Sequence, residues 1–384
     1  MQENLSFVVS RSDLRQSRVI HAPLPALDAG EVLVRIDRFA FTANNVTYAE
    51  MGERMGYWQF YPAPDGWGNI PVWGFAEVAD SRHEQVKRGE RLYGFLPMAT
   101  HVVLRPERVS EAGFVDGSAH RRQLPPAYNL LLRTAADAAY RPQDEDLLML
   151  LRPVFITSFL IDDFLADEAF FGAQRVWLSS ASSKTAFGLA HLLHRRGGIE
   201  VTGLTSAANR DFVSGLGCYD RVCTYDQIAG LSADRATVYV DFAGSAALRG
   251  AVQRHLGDLL VYSCSVGFSH RDHSRAPAQE DLPGARPVFF FAPDRLRKRA
   301  KDWDRDGIDT RFAQQWQQFV PAARQWLTVV RGEGPAVVQR VYAAALDGSV
   351  APHEGHVLTL AQGDLNPRRY RAFHPSTCRC RFWM

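Results

Sequence analysis

At 384 residues the chain has room for two domains and a substantial core, and 46% hydrophobic against 22% charged residues excludes a disordered chain. A formal net charge of +2 provides no basic field for nucleic acid or an acidic membrane surface. No apolar run reaches the length of a membrane span, and the start MQENLSFVVSRSDLR lacks the basic-then-apolar order of a secretory signal. The five cysteines (Cys218, Cys223, Cys264, Cys378 and Cys380) have no framework spacing; an odd number without an export signal points to free thiols in a reducing cytoplasm. Cys378 and Cys380, one residue apart in the basic tail, make at most half a metal site and read as a frayed terminus.

Residues 5–40 alternate as strands do, in FVVS, SRVIHAPLP and GEVLVRIDRFAF. Val32, Val34 and Ile36 share one face, and Leu33, Arg35 and Asp37 the other. The pattern returns over residues 71–105 in PVWGFAEVAD, GERLYGFLP and THVVLRP, so short strands between Gly and Pro turns predict a β-rich, barrel-like domain. After residue 125 the spacing changes: NLLLRTAADAAY, DLLMLLRPVF and SFLIDDFLADEAFF carry apolar residues three and four apart and predict helices.

An α/β alternation follows. RVWLSS reads as a strand, and KTAFGLAHLLHRRGG as a helix with Ala186, Phe187, Ala190 and Leu193 on one stripe and glycines to cap its end. IEVTGLTS is the next strand, ANRDFVSGLG a short helix, and DRVCTYD a third strand. ATVYVDFAGS, LGDLLVYSCSVG and RPVFFFAP add three more. Near-continuous apolar strands separated by helices predict a parallel sheet covered on both faces. Residues 293–347 read as mainly helical and charged, and GSVAPHEGHVLTL returns to strand character and rejoins the first domain. The expected organisation is a β-rich domain over 1–150, a Rossmann-type domain over 151–300, and a helical segment with return strands over 301–384.

Between the first parallel strand and its helix lies SSASSKTAFG, residues 179–188. A lysine-bearing triphosphate loop would need glycine where Leu178 and Ser183 stand, which argues against one. Two readings remain open on this segment. It is a dinucleotide turn whose small Ser and Ala residues let a diphosphate approach the helix N–H groups beside Lys184, or a plain helix cap by Ser182 or Ser183. The end of the second strand favours a ligand. Thr205 to Arg210 contains no carboxylate to hold a ribose diol, whereas Thr205, Ser206, Asn209 and Arg210 provide donors and a cation suited to a 2′-phosphate, with Asp211 following. A solvated helix start is the plain alternative.

With these segments in line the chain resembles the zinc-independent quinone and enone reductases of the medium-chain dehydrogenase/reductase superfamily. The resemblance is carried by GEVLVRIDRFAFTANNVTYAEMG, PVWGFAEVAD with VKRGERLYGF, the stretch RVWLSSASSKTAFGLAHLLHRRGGIEVTGLTSAANRDFVSGLGCYDRVCTYD, GDLLVYSCSVG and the closing GSVAPHEGHVLTL. It spans most of the chain, least well over 110–175 and 293–347. The fold it implies is α/β, a Rossmann-type parallel sheet domain joined to a β-rich GroES-like barrel, and the cofactor it implies is NADP. Position by position, Ser180, Ala181, Ser182, Ser183, Lys184 and Thr185 would line the pyrophosphate, and Ser206, Asn209 and Arg210 would hold the adenosine phosphate. Tyr225 would lie beside the adenosine-side ribose, and Phe242, Ala243 and Gly244 beside the adenine. Thr157, Cys264, Val266 and Phe290 would approach the nicotinamide. The glycines that the family carries in its phosphate loop are serines here, the chief departure.

Zinc-dependent relatives hold their metals through cysteines, and the first 217 residues contain none; His21, His83, His101 and His120 have no ligand spacing, so no metal site is expected. Hydride transfer without metal relies on positioning and on donors aimed at a developing oxyanion. Asn45 sits at the family's Asn position, Tyr48 can donate to an enolate, and Tyr128 is a weaker candidate of the same kind, with packing in the barrel as the plain alternative. MGYWQFYPAPDGWGNIPVW, residues 55–73, holds six aromatics and is read as the wall of a pocket for a flat apolar substrate rather than as core. The expected activity is NADPH-dependent reduction of an enone or quinone in the cytoplasm, with a small apolar or aromatic substrate and no nucleic-acid or membrane partner; the resemblance allows a homodimer. The alternatives are a carbonyl or enoyl-thioester reductase, a non-catalytic NADPH-binding sensor or interaction protein, and a scaffold without nucleotide.

Overall fold

Alternation along Val32–Phe41 puts Val32, Val34 and Ile36 in the barrel core, and an irregularity between Ile36 and Arg38 brings Phe39 to the same core. The strand is the centre of a nine-stranded sheet in this computed structural model, which describes residues 3–266 and 282–361. From that centre the sheet runs through Pro71–Ser81, Arg91–Pro97, Leu130–Arg133, Gly113–Asp116 and Pro106–Ser110, while His101–Leu104 also pairs with Val32–Phe41. On the other side Glu354–Thr359 pairs antiparallel with Val32–Phe41, His356 opposite Phe41, and Thr328–Glu333 lies beyond it. The return of the chain to the first domain, expected from GSVAPHEGHVLTL, is therefore made by a strand of the barrel sheet itself. A small sheet of Ser17–Pro23, Glu3–Ser10 and Trp67–Gly68 completes the β-rich region.

The second sheet is parallel throughout. Its order is Arg221–Thr224, Glu200–Thr205, Arg175–Leu178, Thr237–Asp241, Leu260–Ser265, Pro287–Phe289. In chain order this is 3-2-1-4-5-6, the doubly wound arrangement whose strand order reverses beside the first strand. The two central strands, Arg175–Leu178 and Thr237–Asp241, are buried along their whole length, which is why the sequence shows apolar runs at 176–178 and 238–240.

One helix, Glu145–Asp167, joins the two sheets. Its first turn is fixed to the barrel: the Glu145 carboxylate accepts from Arg91 Nε at 2.5 Å and Tyr140 Oη at 2.8 Å and also pairs with Arg38. Further along it lies against the helix Lys184–Arg196, where Gly188 leaves no room for a side chain; a Cβ there would stand 2.8 Å from Ser158 Oγ. Two sequence expectations need correction here. DLLMLLRPVF and most of SFLIDDFLADEAFF form this single helix, with Pro153 inside it. NLLLRTAADAAY is not a helix: Leu130–Arg133 is a strand followed by a turn at Thr134–Ala136. Leu131 is fully buried and pairs with Phe114, so sheet pairing decides a short apolar run whose spacing alone fits either structure.

Candidate functional site

The first parallel strand ends at Leu178, and the chain must then turn sharply into the helix Lys184–Arg196. Ser180 makes the turn in the left-handed region, at φ 48°. A serine there costs on the order of 1–3 kcal/mol, a strain that the surroundings must hold. They do so by hydrogen bonds. Ser180 N–H donates to Tyr225 Oη at 3.2 Å, Ala181 N–H to Leu204 O at 3.0 Å, and Ser183 N–H to Ser180 O at 2.8 Å. Ser183 caps the helix, its Oγ accepting from Ala186 N at 3.2 Å, and Ser182 Oγ accepts from Asn209 Nδ2 at 3.1 Å. The N–H groups of Ser182, Lys184 and Thr185 find no acceptor among the described residues, so the helix start keeps three donors for a ligand or water.

Lys184, expected at a diphosphate, is placed differently: its ammonium donates to Glu354 O at 2.9 Å and Pro352 O at 3.2 Å. Burial pushes it down to about 8, against the favourable charge of Glu354. On this side Ser158 Oγ donates to Thr185 O at 2.7 Å, and its neighbour Thr157 is half-buried on the linking helix.

The second strand ends at Thr205, whose buried hydroxyl has no hydrogen-bond partner among the described residues. Ser206, the turn Ala207–Asn209 and the exposed Arg210 follow, and the bond from Asn209 to Ser182 brings this segment against the loop. Tyr225 reaches the same loop from the end of the third strand.

A residue the sequence reading did not place lies under the loop. Asp241, fully buried at the end of the fourth strand, accepts on Oδ1 from Ser179 Oγ at 2.8 Å, Tyr239 Oη at 3.2 Å, Ala243 N at 3.1 Å and Gly244 N at 3.0 Å. Its Oδ2 accepts from Arg249 Nη1 at 2.9 Å, which balances the charge. Ser179 Oγ in turn accepts from Phe242 N and Ala243 N, so the first and fourth strand ends are tied into one unit. The signal was a lone carboxylate ending a buried apolar strand before the small residues AGS. Val266 N–H donates to Asp241 O and Phe290 N–H to Ser265 O, each at 2.9 Å. Cys264 is fully buried, with its thiol pushed up to about 12 by desolvation.

Across the linking helix a narrow crevice of about 10 Å³, room for one water, is lined by Thr42, Asn44, Asn45 and Trp73 on the barrel side and Met149, Leu150, Pro153 and Val154 on the helix side. The amide of Asn45 is engaged at both ends: Oδ1 accepts from Thr42 N at 2.8 Å and Thr42 Oγ1 at 3.2 Å, and Nδ2 donates to Pro71 O at 3.0 Å. It caps the helix Ala43–Glu50 and ties it to the neighbouring strand. Tyr48, on that helix, is buried against Tyr57 at 4.5 Å and Phe95 at 5.4 Å between ring centres, and burial pushes its phenol well up. Tyr128 approaches the same group, its ring 4.7 Å from Phe95 and its carbonyl accepting from the fully buried Arg121 at 2.7 Å.

Trp73 lines this crevice, but most of the aromatic run 55–73 does not form a pocket wall. Tyr57, Trp58, Phe60 and Tyr61 are buried in the barrel core, and Trp58 fills the space left by Gly52 and Gly68. Cys218, Cys223 and Cys264 are free and buried, whereas Cys378 and Cys380 lie outside the described residues. Among the described residues no three His, Cys, Asp or Glu side chains converge as metal ligands, and no helix is long and apolar enough to cross a membrane.

A doubly wound parallel sheet, joined through one long helix to a barrel that reclaims the C-terminal strand, is a Rossmann-type domain coupled to a GroES-like one. Solved structures of that fold match the chain nearly end to end. CurA from Vibrio vulnificus in complex with NADPH is similar at 12% identity and TM-score 0.56, over 94% of this chain and 100% of that one. S. aureus TarJ in complex with NADPH is similar at 10% identity and TM-score 0.56, over 93% and 99%. The mitochondrial 2-enoyl thioester reductase Etr1p/Etr2p heterodimer from Candida tropicalis matches at 10% identity and TM-score 0.56, over 94% and 100%. At such identities the likeness establishes the fold. The chain belongs to the family described as Protein of unknown function (DUF2855), whose model matches residues 39–351. No curated protein matches it in sequence.

Proposed function

We propose that this protein is an NADP(H)-dependent oxidoreductase that reduces the polarised C=C bond of an enone or quinone without a metal. The observation that carries the reading is the meeting, at the reversal point of the parallel sheet, of three unused N–H groups of Ser182, Lys184 and Thr185 with a second strand end that presents Ser206, Asn209 and Arg210 and no carboxylate. The donors suit a diphosphate and the cation suits a 2′-phosphate. Structural neighbours solved with NADPH support the same choice. Tyr225, Phe242, Ala243 and Gly244 would border the adenosine half, and Thr157, Cys264, Val266 and Phe290 the nicotinamide half.

NADPH, when bound, supplies a hydride to the electrophilic carbon of the substrate. The residues of the chain would do the rest. Asp241 and Ser179 hold the sheet ends that shape the floor, Asn45 fixes the start of the helix that carries Tyr48, and the linking helix supplies the apolar wall of the crevice. Tyr48 would donate to the developing enolate oxygen and yield its proton, with Tyr128 beside it. The absence of cysteine from the first 217 residues supports a metal-free reaction. Mixing the protein with NADPH and a panel of quinones, enones and enoyl thioesters tests the reading: loss of NADPH absorbance with an enone or quinone is expected. Turnover with an enoyl thioester alone would move the assignment to that class, which one of the structural neighbours represents.

A reading of another class is a nucleotide-binding sensor without turnover. It draws support from Lys184 being engaged by Pro352 and Glu354, and from Tyr225 closing over the Ser180 N–H. Saturable NADPH binding with no loss of absorbance for any substrate would favour it. A homodimer and a cytoplasmic location are part of the proposal by analogy.

A further inference from the structure

Pro153 lies inside the helix that joins the two sheets, and proline has no N–H to donate. The carbonyl of Met149, one turn earlier, therefore cannot receive its helix hydrogen bond, and it lies on the side of the helix that Met149 and Pro153 share. Both residues line the crevice against the barrel, with Leu150 and Val154. Met149 is fully buried, so an unused acceptor stands in an otherwise apolar helix wall.

The barrel wall carries an unused donor. Trp73 Nε1 is buried and has no hydrogen-bond partner among the described residues. Its ring is held rigidly: it stacks on Tyr93 at 5.5 Å with 19° between planes, and meets Phe95 at 5.2 Å. Tyr93 itself reaches the helix, its Oη donating to Leu148 O at 3.4 Å. The indole stacked on it faces the same stretch of helix across the crevice. A buried N–H and a buried C=O are seldom left without partners, so two of them on facing walls call for something between. The space there is about 10 Å³, enough for one water and nothing larger. Asn44, which is exposed, stands at the mouth. Its Nδ2 donates to Tyr48 Oη at 2.8 Å, which leaves Oδ1 as a third polar group.

We propose that the crevice is a binding site for a single internal water, which accepts the Trp73 Nε1 proton, donates to the Met149 carbonyl and keeps its second proton for Asn44. Three partners is the usual number for a buried water. The bridge joins barrel to linking helix where neither wall reaches the other, and a water-mediated bond is nearly as good as a direct one. Pro153 and Trp73, eighty residues apart in the chain, are then two halves of one device: the proline frees the acceptor and the indole supplies the donor. The inference stands apart from the reductase reading.

A crystal structure of the full chain at a resolution that shows ordered water tests the site without any variant. One water within hydrogen-bond distance of both Trp73 Nε1 and Met149 O is expected. In solution, the full chain labelled with ¹⁵N-tryptophan should show a cross-peak from the Trp73 indole proton to a long-lived water, the signal being assigned by its loss in Trp73→Phe. Pro153→Ala restores the N–H that the Met149 carbonyl lacks, and is expected to weaken that cross-peak and move the indole signal. A crystal with a protein group on the indole nitrogen, or with no water between the two walls, overturns the proposal. So does a cross-peak of undiminished strength in Pro153→Ala.

Discussion

Lys184 Nζ lies 2.9 Å from the carbonyl oxygen of Glu354, so the first residue of the helix after the loop is tied to the strand that returns to the barrel. The contact joins the proposed nucleotide site to the barrel, whose helix Ala43–Glu50 carries Tyr48, and it buries an ammonium whose pKa is lowered to about 8.

This sets a pH dependence. A lysine with a folded pKa below its unfolded value loses its proton on folding between the two, so stability rises with pH from about 8 toward the ordinary lysine range; below that window both states are charged and the penalty is constant. Lys184→Met removes the titration. Urea unfolding of both proteins at several pH values from neutral to mildly alkaline should show wild type gaining on Lys184→Met as pH rises. Parallel curves would mean that the ammonium is not desolvated.

Asp241 should be a structural keystone. Asp241→Asn removes the charge from a buried carboxylate that collects donors from Ser179, Tyr239, Ala243, Gly244 and Arg249, and weakening such charge-assisted bonds costs about 1.5–3 kcal/mol. Ser179→Ala removes one donor and the acceptor for two N–H groups, at about 1–3 kcal/mol. Because both act on one network, the double variant should lose less than their sum. Denaturant midpoints with unchanged slopes measure this, and additive losses would break the network apart.

Tyr48→Phe should lower kcat about a hundredfold while leaving NADPH affinity in place, since the ring stays packed and only the hydroxyl goes. Steady-state rates and a cofactor titration on the same preparation make the comparison. Unchanged kcat would reduce Tyr48 to a packing residue.

The fold was legible where one pattern serves one environment. Arg175–Leu178 and Thr237–Asp241 are buried on both faces and read as apolar runs, and the helix Lys184–Arg196 shows its buried stripe at Ala186, Phe187, Ala190 and Leu193. Leu130–Arg133 was misread because four apolar-rich residues hold too little periodicity, and its identity comes from pairing with Gly113–Asp116. The aromatics of 55–73 were misplaced for a related reason: composition gives their number but not the side of the barrel wall they occupy. The candidate site was legible at the level of backbone, through the loop and the carboxylate-free strand end. Individual side chains were harder. A lysine stem reaches several ångströms in any direction, and nothing local reveals that Lys184 meets carbonyls from residues 352 and 354. Nor does spacing disclose that Asp241, from the fourth strand, stands under a loop that follows the first.

The central claim is that serines and unused N–H groups at this helix start bind the diphosphate of NADPH, with Arg210 reading its 2′-phosphate. Fluorescence titration of NADPH and NADH into wild type and Arg210→Glu tests it most directly. The account predicts saturable NADPH binding that weakens about 10–100-fold in Arg210→Glu, with NADH little affected, as expected for the loss of a charge-assisted contact. No saturable signal at millimolar cofactor, or an equal loss for both nucleotides, would contradict it.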